Sequence, residues 1–284
     1  MKRKKLLVIL LISVMLTLMI GCAGPTVKFG SIDVTSTPTG ARVYINGVDT
    51  GMVTPIVFTK EVGNYTIKLD LSHYKIWEGT VTVNADQTTY INAPLTYASP
   101  KTITLQPGAE GKDATVKSTH AGTPYGGAPF LDLGKYIWAG TEHYYYRSYL
   151  QFDLSTVPGN ARVVYASLSL YQDASWGTAS NNTIGLYQVT TDWEESTITW
   201  NNQPTSSTVA EASCTVYPVS NIWRTWYNIG NLVQSWLDGT ITNQGMLLKA
   251  TDETLIDLAV GCRSSDYTID ASKRPKLTIN YYIP

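Results

Sequence analysis

The chain has 284 residues, a formal net charge of −1, and 43% hydrophobic against 15% charged residues. That length accommodates two domains, each with a core, and the composition excludes a disordered or strongly charged chain. Nineteen tyrosines, eight tryptophans and 22 glycines are the palette of β-structure rather than helix.

Lys2, Arg3, Lys4 and Lys5 precede an apolar run over 6–20 broken only by Ser13 and Thr17, and "LMIGCAG" (18–24) follows. This is the order of a secretory signal peptide over residues 1–21. The junction of Gly21 and Cys22 resembles a lipobox, at which cleavage frees Cys22 for lipid attachment, with Met19 where the motif usually carries Leu. Left uncleaved, the 19 residues 6–24 approach the ~20 that span a bilayer. Both readings predict a membrane-anchored protein of the cell envelope, facing outside the cytoplasm. Loss of the leader removes four basic and no acidic residues, leaving 17 basic against 22 acidic and a net charge of −5. No basic run survives, which argues against nucleic acid as a partner.

Residues 22–29 read as a short tether. In "GSIDVTSTPTGARVYINGVDTGMVTP" (30–55) Ile32 and Val34 alternate, Pro38 and Gly40 mark a turn, and Val43 and Ile45 alternate again. Asn46 and Gly47 form a hairpin-type turn pair. Tyr65, Ile67, Leu69 and Leu71 keep a period of two, the mark of a half-buried strand, and 77–95 reads as two strands around a turn at 84–86.

The spacing of Ser36, Pro38, Gly40, Ala41, Val43, Asn46, Gly47, Gly51, Thr54, Pro55, Gly63, Tyr65, Tyr74 and Trp77 resembles the PEGA domain, a small β-sandwich of prokaryotic envelope proteins. The naming tetrapeptide reads "PTGA" (38–41). The resemblance covers 30–96 and implies a spacer or interaction module without catalysis.

Residues 101–284 read as one larger β-domain after a linker at 96–102. Leu150, Phe152 and Leu154 share one parity, as do Val164, Ala166, Leu168 and Leu170, so each strand turns one face to a core. Further strands are predicted at 183–189, 197–200, 213–217, 245–250, 256–262 and 276–282. One helix is predicted over 228–239, with Ile229, Leu232, Val233, Trp236 and Leu237 on one face, Asn228 as N-cap and Gly239 as the stop. Many short strands with one short helix predict a jelly-roll sandwich, so the expected fold class is all-β.

This segment resembles the DNRLRE family, whose relatives include the disaggregatase repeats of methanogen surface proteins and a family of carbohydrate-binding modules. The matching elements are Asp113, the pair Tyr125 and Gly126, "RSYLQFDLSTVP" (147–158) and "ASLSLY" (166–171), then "WEESTITWNNQP" (193–204), "LVQSWLDG" (232–239), "NQGMLL" (243–248) and "RPKLTINY" (274–281). The loop that is usually Asn-Tyr-Gly reads "PYGG", and the late Ser-x-Glu element reads "SSD" (264–266). If that acid fixes an ion or a loop in relatives, the shortened side chain puts the role in doubt here.

The acidic, Trp-rich segment 192–204 poses the choice between chemistry and framework. Glu194 and Glu195 are adjacent, so on an extended strand they point to opposite faces and cannot form a facing acid/base pair. Ile198 and Trp200 share a parity that predicts burial. The three histidines, His73, His120 and His143, lack metal-ligand spacing, and no nucleophile elbow or phosphate loop is present. "EHYYYR" (142–147) has the residue types of a polysaccharide lyase, but a strand splitting its aromatic residues between core and surface is the preferred reading. No catalytic residue is expected, and no cofactor. A structural calcium would suit a lectin-like jelly roll, yet no oxygen cage is identifiable from the sequence. Cys214 and Cys262 are either a disulfide pair in an oxidising compartment or two separate buried thiols.

Seven of the eight tryptophans lie in the second domain. Trp200 and Trp236 fall on core positions, whereas Trp138, Trp176, Trp223 and Trp226 sit in polar, turn-rich segments. An exposed indole suits the hydroxyl-poor face of a sugar ring. Trp138, Tyr144, Trp176, Trp223 and Trp226 are therefore the candidate glycan-binding residues. The expected function is binding of polysaccharide or another surface polymer without turnover; a purely structural envelope protein and a lyase or glycosidase are the rivals.

Overall fold

The computed structural model describes residues 26–284 apart from Leu255; the predicted leader and Cys22 lie outside the described residues. The chain divides into two compact units, one running to Ser72 and resuming at Ile76–Thr96, the other comprising His73–Lys75 and Tyr97–Pro284. Both are all-β, and among the described residues there is a single α-helix.

The first unit contains β1 (Phe29–Thr37), β2 (Arg42–Ile45), β3 (Val48–Val53), β4 (Ile56–Glu61), β5 (Gly63–Asp70), β6 (Trp77–Val83) and β7 (Thr88–Pro94). They form a sheet β4–β1–β7 and a second sheet β3–β2–β5–β6. Alternation puts Ile32, Val34, Val43, Ile45, Ile67 and Leu69 into one core. The PEGA-like residues have local work to do. Thr54 Oγ1 accepts the N–H groups of Gly40 and Ala41 at 3.1 Å and lies 2.5 Å from Ser36 Oγ, which staples the "PTGA" turn. Asn46 and Gly47 both hold positive φ, 50° and 79°, as a two-residue hairpin turn requires.

The second unit contains β8 (Lys101–Leu105), β9 (Lys112–Lys117), β10 (Phe130–Trp138), β11 (Glu142–Gln151), β12 (Arg162–Gly177), β13 (Asn182–Gln188), β14 (Ala212–Val216), β15 (Ile222–Trp226), α1 (Gly230–Leu237), β16 (Met246–Ala250), β17 (Leu258–Arg263) and β18 (Lys276–Tyr282). Its eleven strands belong to one sheet, ordered β14–β13–β16–β11–β10–β17–β12–β18–β8, with β15 on β12 and β9 on β11. The sheet curls because its long strands change partner. β12 pairs with β18 over its first half and with β17 over its second, with register shifts near 163–165 and 172–174. The core so enclosed includes Leu131, Leu150, Leu168, Leu170, Trp226, Val260 and Leu277, with α1 contributing Leu232, Val233 and Trp236.

Two local expectations fail. Residues 197–200 are not a strand: Ile198 N–H bonds to Glu194 O at 2.8 Å, and Asn202 Oδ1 takes both the N–H and the hydroxyl of Thr199. These bonds use the backbone in turns before a 3-10 segment at Trp200–Asn202. Asn228 is not the N-cap of α1 either. It holds φ 64°, and the following Ile229 is buried with its N–H bonded to Ala166 O at 3.1 Å. Gly239, at φ 73°, does end the helix region as expected.

Candidate functional site

β10 and β11 pair so that Gly134, Tyr136 and Trp138 stand opposite Tyr146, Tyr144 and Glu142. Cross-strand partners share a face, and the rings line up accordingly. Tyr136 lies 6.2 Å from both Trp138 and Tyr144, centroid to centroid, and Tyr146 lies 6.5 Å from Trp176 of β12. Trp138 is 54% exposed and Trp176 40%. The Trp176 indole passes so close to Gly261 that a Cβ there would meet it at 2.9 Å; glycine leaves the room for the ring. Gly134 holds φ 107° at a point where a Cβ would lie 2.5 Å from Leu258 O, so only glycine lets β10 approach β17 there.

Charge borders these rings. Lys117 pairs with Asp132 at 2.8 Å and lies 4.6 Å from the Tyr125 ring and 5.7 Å from that of Tyr146. Burial, then the nearby Asp132, pushes Tyr146 up to about 12. Tyr144 donates to Glu142 Oε2 at 2.9 Å, and this bond chiefly holds its phenol above the ordinary value. Asp257 fixes the strand ends that carry both tryptophans. It accepts Ile137 N–H at 2.8 Å, Thr178 N–H at 3.1 Å and the Thr178 hydroxyl at 2.8 Å.

The other candidates part company with this face. Trp226 is wholly buried and donates its indole N–H to Ile184 O at 2.8 Å, which corrects its assignment as a glycan-binding residue. The segment read as a turn-rich loop is strand β15, whose alternation turns Arg224 and Trp226 inward. Trp223, on the opposite parity, packs edge-to-face on Tyr171 at 5.4 Å beneath Lys276. Cys214 and Cys262 are free thiols, and burial raises both.

The 192–204 segment is a strap over the outer side of β9, β11, β13 and β16. Trp193 is 5% exposed, donates its indole N–H to Gln244 O at 2.9 Å and packs 5.6 Å from Tyr149. Trp200 is half-buried rather than a core residue. It stacks on Tyr145 at 6.2 Å, and the Arg147 guanidinium lies 4.6 Å from its ring. Arg147 is held in turn by Glu253 at 2.6 Å and Gln203 at 3.0 Å. The tryptophans of this motif are framework.

Its acids divide. Glu194 is exposed, whereas Glu195 reaches inward and accepts the Asp113 N–H at 3.0 Å. Asp113 Oδ2 accepts the Ser265 N–H at 2.8 Å, and carboxylate oxygens of Asp113, Glu195 and Asp266 lie within 4.8 Å of one another. Asp113 is 3% exposed, and its carboxyl is set against both the N–H and the side chain of Ser265. Burial pushes Asp113 up to about 7 and also raises Glu195 and Asp266. Three carboxylates far apart along the chain are thus brought together, because they come from β9, the strap and the turn after β17. Asp266, the shortened acid of the "SSD" element, still reaches the cluster. A cleft of about 580 Å³ lies elsewhere on this unit, lined by Leu105, Pro107, Glu110, Lys112, Phe152 and Asn243 among others, and its one aromatic residue is buried.

An all-β chain whose larger unit carries an open aromatic sheet face has the form of a binding module with a companion domain. The profile of carbohydrate-binding module family 96 matches residues 102–281, and that of the PEGA domain matches 29–99. The chain belongs to carbohydrate-binding module family 96 and carries a PEGA domain before the module. No curated protein matches it. Among solved structures it is similar to BcpA, the major pilin subunit of Bacillus cereus, at 8% identity and a TM-score of 0.21, covering 90% of this chain and 58% of that one. It is likewise similar to the full-length RrgB pilus protein of Streptococcus pneumoniae, at 9% identity and a TM-score of 0.19, covering 92% of this chain and 46% of that one. The chain therefore spans about half the length of either pilin.

Proposed function

We propose that the second unit binds polysaccharide, or another surface polymer presenting sugar rings, on the face of Trp138, Tyr136, Tyr144, Tyr146 and Trp176, and that it does not cleave it. The observation that carries this reading is the pair of exposed indoles continued by tyrosine rings across β11, β10 and, beyond β17, β12. Apolar ring faces with polar edges suit stacked sugars, and membership of a carbohydrate-binding family supports the same ligand class.

Two observations speak against turnover on this face. A tyrosine acting as a lyase base needs a lowered pKa, and Tyr144 and Tyr146 are both raised. A glycosidase needs two carboxylates flanking a glycosidic bond, but Asp113 is buried with one oxygen held by Ser265 N–H. The chain would be tethered at the envelope membrane by lipid on Cys22 or by the uncleaved run 6–24, with the PEGA domain as spacer. No helix among the described residues is long and apolar enough to cross a membrane.

The test is calorimetric titration of the purified chain with a panel of neutral and acidic polysaccharides, while the same mixtures are scanned for chain shortening. Retention of at least one glycan without shortening supports the proposal. Shortening would make the protein an enzyme, and affinity for no glycan would leave a structural envelope protein.

A further inference from the structure

The geometry points to an uncharged polysaccharide as the ligand of the open face: the face discriminates against acidic sugars, and Glu142 is the residue that sets the preference. This inference rests on the function proposed above and narrows it to one class of sugar.

The bases that reach the rings are already neutralised. Lys117, which lies against Tyr146, pairs with Asp132 at 2.8 Å. Asp132 itself stands at the floor of the face. A Cβ at Gly261 would meet the Trp176 indole at 2.9 Å and Asp132 Oδ1 at 3.4 Å, so ring and carboxylate flank the same glycine. Arg263 lies two residues further along β17 and therefore on the same side of the strand as Gly261. It is paired with Asp173 and lies 4.4 Å from the Phe130 ring and 3.9 Å from that of Tyr267. Asp132 and Asp173 are largely buried, at 9% and 12% side-chain exposure. Pulling either base toward a ligand would leave such an acid unpaired, a cost that offsets the new contact. Lys135 of β10 is buried and gives its ammonium to Thr254 O, and His143 stacks on Tyr145, on the other parity of β11, at 6.3 Å.

Once the rim is included, acids outnumber bases. Glu142 is exposed and stands directly opposite Trp138 in the register of β10 and β11. Its bond from the Tyr144 hydroxyl holds the carboxylate beside the rings on which a sugar would stack. Lys117 and Arg263 against Asp132, Asp173 and Glu142 are two bases against three acids, a balance of −1. A uronate stacked on Trp138 would bring its own carboxylate toward Glu142, while both bases stay committed to their aspartates. A neutral sugar presents hydroxyls, for which the Glu142 carboxylate is an acceptor. The ring faces stack with either sugar, so the rings set affinity and the charges set choice.

The experiment titrates the detergent-solubilised full chain calorimetrically with matched pairs of hexasaccharides. Each pair is a neutral oligomer, of β-1,4-glucan, β-1,3-glucan or β-1,4-mannan, and the same oligomer oxidised to the carboxylate at C6. In at least one pair the neutral member should bind and the carboxylated member should bind at least about fivefold more weakly. Raising the salt from about 0.01 M to about 1 M, which shortens the screening length from about 30 Å to about 3 Å, should narrow that gap. Glu142→Gln keeps an acceptor for the Tyr144 hydroxyl and should reduce the ratio between the two ligands by about threefold, with a melting curve close to that of the wild type. Equal or tighter binding of the carboxylated member would overturn the inference and leave the proposed function standing. A neutral preference that Glu142→Gln does not change would overturn it as well. Binding of neither member of any pair would count against the proposed function itself, and the inference would fall with it.

Discussion

Strand β11 shows two fates for the same residue type. Its odd-numbered residues Tyr145, Arg147 and Tyr149 lie beneath the 192–204 strap against Trp200, Gln203 and Trp193. Its even-numbered residues Tyr144 and Tyr146 join Tyr136 and Trp176 on a face where two indoles are exposed. Both faces are aromatic and bordered by charge; what differs is the cover. Under the strap, the rings have hydrogen-bonded and stacked partners and serve stability. On the open face the same apolar area is available to a ligand. Counting aromatic residues therefore finds both regions, and only the path of a connecting segment tells them apart.

The contrast can be broken from either side. The largest effect is expected from Trp193→Ala, which empties a site against Tyr149, removes the bond to Gln244 O and should cost about 3–5 kcal/mol; chemical denaturation reads it. Next is Arg147→Ala. Glu253 would lose its partner and Trp200 its guanidinium, for a loss of about 2 kcal/mol visible in the same assay, with glycan affinity unchanged in the folded fraction. On the open face the balance reverses. Trp138→Ala and Trp176→Ala should each weaken glycan binding by about 1–2 kcal/mol and change stability by less than about 1 kcal/mol, which titration and melting together would show.

A smaller effect is expected from Asp257, which supports the open face without lying on it. Burial acts to raise its carboxyl, but the bonds from the Thr178 hydroxyl, Ile137 N–H and Thr178 N–H outweigh that and leave it below the ordinary value. A carboxyl lowered on folding contributes stability above its unfolded pKa, near 3.9, and loses that contribution as pH falls through the folded value. Melting of the wild type against Asp257→Ala should therefore show a gap at pH 6 that closes toward pH 3. Trp223→Ala should leave glycan affinity where it was, since its ring contacts Tyr171 and Lys276 instead.

Much of this architecture was legible in the residues. Ile67 and Leu69, or Leu168 and Leu170, announce their strands by period-two alternation, and both domains were recognisable from turn and strand signatures. β15 was not, because "NIWRTW" is flanked by polar turn residues and its inward residues include the buried Arg224, bonded to Gln172 at 2.6 Å; an arginine at a core position hides the alternation and with it the burial of Trp226. The strap misled in the opposite direction. Ile198 and Trp200 alternate like a strand, but Asn202 captures Thr199 and bends the chain. The acidic cluster was out of reach for a different reason: residues 113, 195 and 266 acquire a common geometry only when the sheet curls.

If the proposed function holds, the open face and not the covered one carries the ligand. The most direct test is titration of the Trp138→Ala/Trp176→Ala double variant with whichever polysaccharide the wild type retains, beside a melting curve of the same sample. The double variant should lose measurable binding while melting close to the wild type. A double variant that binds as tightly as the wild type would contradict it and move the ligand to another surface of the module.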